Sequence, residues 1–479
     1  MRKRGPLLAV AVAALLFASA VSAEQKSESF DEDPGWDGLN NRSTTEKRPV
    51  RQDFGYLGPE VVPGGAIGGT ISPDGTPAYY AKSIESLSLD DPLHASGTLL
   101  VKPGGGNVLL GFFNADSINE WRTPNSMVFR INGRGETFHV HTEYATRTWR
   151  AGAGVIGKFD PVADRVYPVE NPSGKSYRWT LDYDPNGNAG AGQLVATLND
   201  MKAEMAIHPD LRKDGATFNR FGLLTVVKHA DDGGDFVVGD LRINGETIDL
   251  TKDPQWDAVG NHASYFSEET RPRFNFGYSK TQNAGGKSAG EIGGLFFRGD
   301  CRYPDRLAYY GAKTAPLTSA KKLSASGKIS FHRGVSDSTT IFGFFNSVRS
   351  VNVNESQKHA LPCDFMGFAI EGPSAQGFFA YPTYRMQGDA SSQGRYEGLP
   401  YIFPDGTSHD WTLTYDPGVS GSEGSIRFTL DNNPPVILAI PSEHVAEGAS
   451  YNRFGFVTPW IDGNGQIVYL DDLTYTVKQ

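Results

Sequence analysis

The chain repeats itself, and nothing else in it limits the possible folds as sharply. Asp33-Pro34-Gly35-Trp36-Asp37 returns as Asp253-Pro254-Gln255-Trp256-Asp257, and Gly111-Phe112-Phe113-Asn114 returns unchanged as Gly343-Phe344-Phe345-Asn346. Arg48-Pro49 with Phe54-Gly55-Tyr56 matches Arg271-Pro272 with Phe276-Gly277-Tyr278, and Ala78-Tyr79-Tyr80 matches Ala308-Tyr309-Tyr310. Trp179-Thr180-Leu181 and Tyr183-Asp184-Pro185 match Trp411-Thr412-Leu413 and Tyr415-Asp416-Pro417, and Asn219-Arg220-Phe221-Gly222 matches Asn452-Arg453-Phe454-Gly455. The spacing between partners grows through the early part of each copy and then holds steady. Loops absorb insertions in this way and paired strands do not. Two modules follow, 24–249 and 250–479, after a leader at 1–23. The second begins without a long linker, which implies that the two pack against each other.

Within each copy the apolar residues alternate. Trp411, Leu413 and Tyr415 fall on one side of a strand and Thr412 and Thr414 on the other; Ile426, Phe428 and Leu430 alternate likewise, as do Leu194, Ala196 and Leu198. Turn signals such as Asp184-Pro185-Asn186-Gly187 and Asp416-Pro417-Gly418 separate these runs. With 56 glycines, 29 prolines and no long amphipathic helix, the chain reads as an all-β sandwich or jelly roll. The run Trp-Thr-Leu-x-Tyr-Asp-Pro, a Gly-rich turn, an alternating strand, Asn-Arg-Phe-Gly and a closing strand such as Val468-Tyr469-Leu470-Asp471-Asp472-Leu473 resembles the concanavalin A-like (laminin G-like) jelly roll. The opening Asp-Pro-x-Trp, with Phe-Gly-Tyr, Gly290-Glu291-Ile292-Gly293-Gly294 and Ala-Tyr-Tyr, resembles more narrowly a tandem-repeat group of exported bacterial proteins. The resemblance implies two tandem concanavalin A-like jelly-roll domains. That superfamily holds lectins, carbohydrate-binding modules, glycoside hydrolases and polysaccharide lyases, so fold does not choose among them.

The N-terminus predicts export. Arg2, Lys3 and Arg4 precede an apolar run from Leu7 to Ala20, and Val21-Ser22-Ala23 supplies small residues before Glu24, the layout of a cleavable signal. The run falls short of the ~20 residues a bilayer span needs, and no later segment is long and apolar enough, so a secreted or periplasmic protein is expected. The net charge of −10, from 45 basic and 55 acidic side chains, offers no basic stripe for nucleic acid. Cys301 and Cys363 suit a disulfide in an oxidising compartment, although sequence does not fix their separation. Two thiols are too few for a four-thiolate metal site.

The most pointed constellation is Phe138-His139-Val140-His141-Thr142-Glu143-Tyr144. On a strand His139, His141 and Glu143 share one face, where Glu143 can serve as general acid or base and the histidines as proton shuttles or metal ligands. A solvated strand face has the same pattern. The matching strand reads Phe379-Ala380-Tyr381-Pro382-Thr383-Tyr384, whose rings suit stacking on sugar C–H faces or packing in a core. Tyr278 and Tyr310, in repeated aromatic motifs, join Phe379, Tyr381 and Tyr384 as candidate sugar contacts. Glu291, among glycines, is a second candidate acid, and its counterpart is Ala66. Asn40-Asn41-Arg42 and Asp53 correspond to Gly260-Asn261-His262 and Asn275.

Glycosidases usually pair two carboxylates. Glu136 and Glu143 fall on opposite faces of one continuous strand, and the glucanase pattern Glu-x-Asp-x-x-Glu is absent. A lyase instead needs a Tyr or His base with a cation, and His139, His141, Tyr144, Arg130 and Arg147 supply those types. Asp471, Asp472 and the matching Asp240 are candidate oxygen ligands for a structural calcium ion, or simply local hydrogen-bond acceptors. Three readings stand: an exported enzyme cleaving an extracellular polysaccharide, a non-catalytic lectin-like protein binding oligosaccharide, and a cell-surface interaction protein. Export and the His-x-His-x-Glu face favour the first; duplication and the missing carboxylate motif favour the second.

Overall fold

The computed structural model describes residues 23–479 apart from 44–46, 75, 119–123, 149, 164, 172–174, 226–232, 269–272, 301–306, 336, 373–376, 389, 393–398 and 420–421. The leader and Cys301 therefore lie outside the described residues. The chain is all-β, 59% strand with three short helices, and its strands build two jelly-roll sandwiches. No helix among the described residues is long and apolar enough to cross a membrane.

In the N-terminal half one sheet runs Met201–Ala206, Gln193–Leu198, Tyr177–Asp184, Leu93–Val101, Gly234–Ile243, Ala66–Ile71, Lys47–Leu57, His262–Glu268. It packs on a second, running Arg150–Ile156, Thr137–Ala145, Ser126–Arg134, Asn107–Phe113, Thr217–Thr225, Tyr79–Ser88, Asp257–Val259. Alternation decides what goes between them. Trp179, Leu181 and Tyr183 enter a core with Phe112, Phe129 and Phe221, while Thr180 turns outward to meet Thr197. The C-terminal half repeats the plan around Trp411, Leu413, Tyr415, Phe342, Phe368 and Phe454.

Hydrogen bonding does not divide the chain at residue 250. Asp257–Val259 pairs with Tyr79–Ser88, and His262–Glu268 pairs with Lys47–Leu57, so the opening of the second copy completes both sheets of the first. Reciprocally, Glu24–Glu28 pairs with Asp462–Lys478 and Asp37–Leu39 with Tyr309–Thr318, so the opening of the first copy completes the second. The two Asp-Pro-x-Trp-Asp segments are seated alike. Trp36, 8% exposed, packs against Phe30, Tyr310 and Tyr475, its ring 5.6 Å from Tyr310, and Trp256 stacks on Tyr80 at the same 5.6 Å. Asp37 accepts from Arg453 at 2.6 Å, and Asp257 pairs with the matching Arg220 at 2.8 Å. Asn41 donates to the Phe276 carbonyl at 2.6 Å, and Asn261 to the Phe54 carbonyl at 2.5 Å. Glycine permits both approaches: at Gly290 (φ +139°) a Cβ would stand 1.7 Å from the Phe30 carbonyl oxygen, and at Gly65 (φ +76°) 1.7 Å from that of Leu250.

Candidate functional site

The strand Thr137–Ala145 lies between Ser126–Arg134 and Arg150–Ile156. Phe138, Val140 and Tyr144 face the core, which gathers His139, His141 and Glu143 on the opposite face, as their spacing predicts. His139 and His141 are half-buried, with parallel rings 6.1 Å apart. Glu143 is only 3% exposed, and Arg130 on the neighbouring strand donates from Nε to its Oε1 at 2.6 Å. The carboxylate is held by a half-buried guanidinium beside an apolar patch of Ala81, Leu109, Phe113, Val128 and Leu224. Such a group is an electrostatic brace, because a proton-transfer partner has to reach it and solvent does not.

The same strand face in the C-terminal half is closed. Phe379 and Tyr381 are buried with Ile341, Phe345 and Tyr401, and Tyr384 lies in the sandwich core with its hydroxyl 2.8 Å from His444 Nδ1. These rings are packing residues rather than an open sugar platform, because the 399–401 segment lies over the first two. Tyr381 stands opposite Ala369 where His141 stands opposite Arg130, and Thr383 replaces Glu143, so both members of the ion pair are absent together.

The other candidates separate in space. Tyr144 is a core residue whose hydroxyl accepts from the His208 N–H at 3.2 Å, and burial pushes its pKa up to about 12. Tyr310 packs on Trp36, Tyr278 is half-buried against the C-terminal core, and Arg147 braces a loop by donating to the Asp214 carbonyl at 2.6 Å. Glu291 is fully buried; its carboxylate accepts from the Thr281 hydroxyl, from the Asn283 N–H and Nδ2, and from the Ala284 N–H. It fastens the 280–290 loop onto the sheet, and its full burial keeps it from meeting a substrate. Cys363 is buried, its Sγ 3.0 Å from the Gln387 carbonyl; a bridge to Cys301 lies outside the described residues.

Asp471 stands opposite Lys328 in the sheet, next to Leu470, the cross-strand partner of Ile292, and has no exposure. Its Oδ1 accepts from the Asp472 N–H at 2.6 Å, whereas Oδ2 has no partner. Burial, then the charges of Asp472 and Glu291, push its pKa up to about 7. Asp472 and Asp240 take matching left-handed turns at φ +49°, and Asp240 is exposed. No group of three His, Cys, Asp or Glu side chains able to hold a metal ion occurs among the described residues.

One cleft was not visible in the sequence. A cleft of about 590 Å³ in the N-terminal half is lined by Lys158, Tyr167, Glu170, Lys175, Asn199 and Asp200, with the Tyr177 ring at its base. One wall is the hairpin of Lys158–Asp160 and Arg165–Tyr167. Asp160 closes its turn by accepting from the Val162 and Ala163 N–H groups, which lower its pKa. The Tyr177 hydroxyl donates to the Glu170 carbonyl, and the Lys175 ammonium lies 4.8 Å above the Tyr177 ring. Lys158, Glu170, Lys175, Asn199 and Asp200 are exposed. The one sequence signal is length: the connection holding this hairpin, 146–176, is longer than its counterpart, 386–407.

No family model matches the chain, and no curated protein matches it. Among solved structures it is similar to the mouse laminin alpha1 chain, domains LG4-5, with 11% identity over 85% of this chain and 89% of that one at a TM-score of 0.24. It is similar to peanut lectin with a nine-residue peptide, with 15% identity over 42% of this chain and 89% of that one at a TM-score of 0.26. A third is truncated AlyQ with CBM32 and alginate lyase domains, with 8% identity over 96% of this chain and all (100%) of that one at a TM-score of 0.20. Likeness at this level carries no chemistry, which rests on the side chains alone.

Proposed function

We propose that this is an exported, non-catalytic glycan-binding protein that takes a stretch of oligosaccharide into the cleft between Lys158 and Asp200. The observation behind this reading is the make-up of the cleft. A volume of about 590 Å³ lies within the ~300–1,000 Å³ usual for small-molecule sites. Sugar hydroxyls both donate and accept, and the lining offers both: Lys158 and Lys175 donate, Glu170 and Asp200 accept, and the Asn199 amide does either. A cleft of one charge sign would select an ion instead. Tyr167 adds an aromatic surface for the apolar C–H face of a pyranose.

Binding is favoured over cleavage because both carboxylates that the sequence offers as acids are occupied. Glu143 is held by Arg130 and Glu291 is fully buried under four donors, so neither place offers a paired acid and base to a substrate. The test is a polysaccharide panel with residues 24–479, following affinity by calorimetry together with new reducing ends and the ultraviolet absorbance of an eliminated uronate. Saturable binding without product is expected, lost in a Tyr167→Ala, Lys158→Ala variant of unchanged circular dichroism. New reducing ends on any glycan, or no binding across the panel, would refute it.

A further inference from the structure

The Asp-Pro-x-Trp-Asp segments point to an interaction surface that is independent of the cleft. Each sandwich holds a groove that reads this motif, and both read it with the same residues: a tyrosine under the Trp ring (Tyr310, Tyr80), an arginine on the second Asp (Arg453, Arg220), a carbonyl receiving the following Asn (Phe276, Phe54), and a glycine admitting the start of the segment (Gly290, Gly65). Recognition therefore resides in the motif rather than in how the chain is threaded. The two occupants differ in connection. The 250–268 segment follows directly on the N-terminal sandwich that it completes. The 23–43 segment reaches its groove from the far end of the sequence: Ser27 meets Thr474 across a separation of 447 residues, and its link to the other described residues runs only through 44–46.

We infer that residues 23–43 form an exchangeable clasp, and that the groove on the C-terminal half accepts the 23–43 segment of a second copy of this chain, joining molecules through it. Contacts in the crossed-over form are identical to those within one chain, so the choice between them is set by the effective concentration of the tethered segment rather than by any new bond. The physical division of the chain under this inference is 47–268 for one sandwich and 273–479 with 23–43 for the other. Arg42 supports the assignment, because its guanidinium donates to Asn275 at 2.5 Å and to the Tyr278 carbonyl at 2.9 Å, both in the C-terminal half. Edge pairing of this kind is a low-cost route to strand exchange.

A protease site placed at 44–46 of the full chain, cut after folding, frees the segment without deleting it. A fluorescent synthetic 23–43 peptide should then exchange into the nicked protein, and an unlabelled Trp36→Ala peptide should compete about a hundredfold worse than the natural one. On intact chains, a Trp36→Ala, Asp37→Ala clasp variant refolded together with a Tyr310→Ala, Arg453→Ala groove variant should give a mixed dimer in native mass spectrometry. Neither variant should give it alone. Failure of the peptide to enter a nicked protein that keeps its circular dichroism, or only monomers from the mixed refolding, overturns the inference. Glycan binding is unaffected in either case, because the cleft lies in the other sandwich.

Discussion

Asp37 and Arg453 stand 416 residues apart and are joined at 2.6 Å, which ties the opening of the chain to a strand near its end. Lys313 approaches the same carboxylate oxygen at 3.4 Å, and beside it Trp36 fills a slot between Tyr310 and Tyr475. A partly shielded pair next to a buried indole is a sturdier anchor than a surface salt bridge, since the indole supplies the burial energy and the pair supplies the register.

Removing that indole should therefore damage the half of the molecule farther away in sequence. Trp36→Ala should cost about 3 kcal/mol, in the range for large-to-small core changes, and the loss should fall on the C-terminal sandwich. Trp256→Ala should act on the N-terminal sandwich, and less severely, because Trp256 is only half-buried. Hydrogen exchange with peptide mapping distinguishes the two. Faster exchange in 93–101 and 177–184 of the Trp36 variant, with 408–430 unchanged, would contradict the crossed pairing.

Arg130 and Glu143 form the second testable pair. Replacing either alone breaks a charge-assisted hydrogen bond that is largely shielded from solvent and should cost about 2 kcal/mol. The other sandwich has already made the double change, with Ala369 and Thr383 in those places. Arg130→Ala with Glu143→Thr should thus recover most of the single-variant loss, a coupling that denaturant melts of the double-mutant cycle read directly. Additive losses would mean that the ion pair is incidental to packing on this face.

Much of this architecture is legible in the residues, and the reasons for the rest are physical. Trp179-Thr180-Leu181 reveals a strand and its inward face because period two is local. His139, His141 and Glu143 share a face for the same reason. What alternation does not encode is the neighbouring strand. Whether Glu143 meets water or a guanidinium depends on the register that sets Arg130 opposite His141, and whether Tyr381 is open depends on the segment around Tyr401. The crossed clasps escape notice because the sequence shows two like motifs, each at the head of a copy, and proximity in sequence argues for the nearer partner. The cleft around Tyr167 escapes because it is built from an irregular connection without periodicity.

Asp471 gives a stability prediction with a definite sign. Its native pKa is raised from 3.8 to about 7, so between those values the folded chain keeps a proton that the unfolded chain has released. Stability from this group is full at low pH and falls as pH rises towards 7, then levels off. Asp471→Asn, neutral at every pH, should match the parent near pH 4 and exceed it at pH 8 by at least about 1 kcal/mol. Guanidinium unfolding at the two pH values tests this. A variant weaker than the parent at pH 8 would show that the ionised carboxylate has a favourable partner in solution.

The hairpin wall of the cleft separates recognition from stability. Tyr167 pairs with Lys158 across the two short strands, and the turn between them is closed by Asp160. Tyr167→Ala should lower glycan affinity roughly tenfold, the worth of one lost aromatic contact, with little change in melting temperature because the side chain stands outside the core. Asp160→Ala removes two turn hydrogen bonds and the carboxylate that meets the Tyr167 side chain, so it should weaken binding by leaving the wall disordered before the ligand arrives. Calorimetry should then show the Tyr167 loss mainly in enthalpy and the Asp160 loss mainly in entropy. If Asp160→Ala binds like the parent, the hairpin does not form the wall that the ligand meets, and the cleft assignment moves to the Tyr177 side.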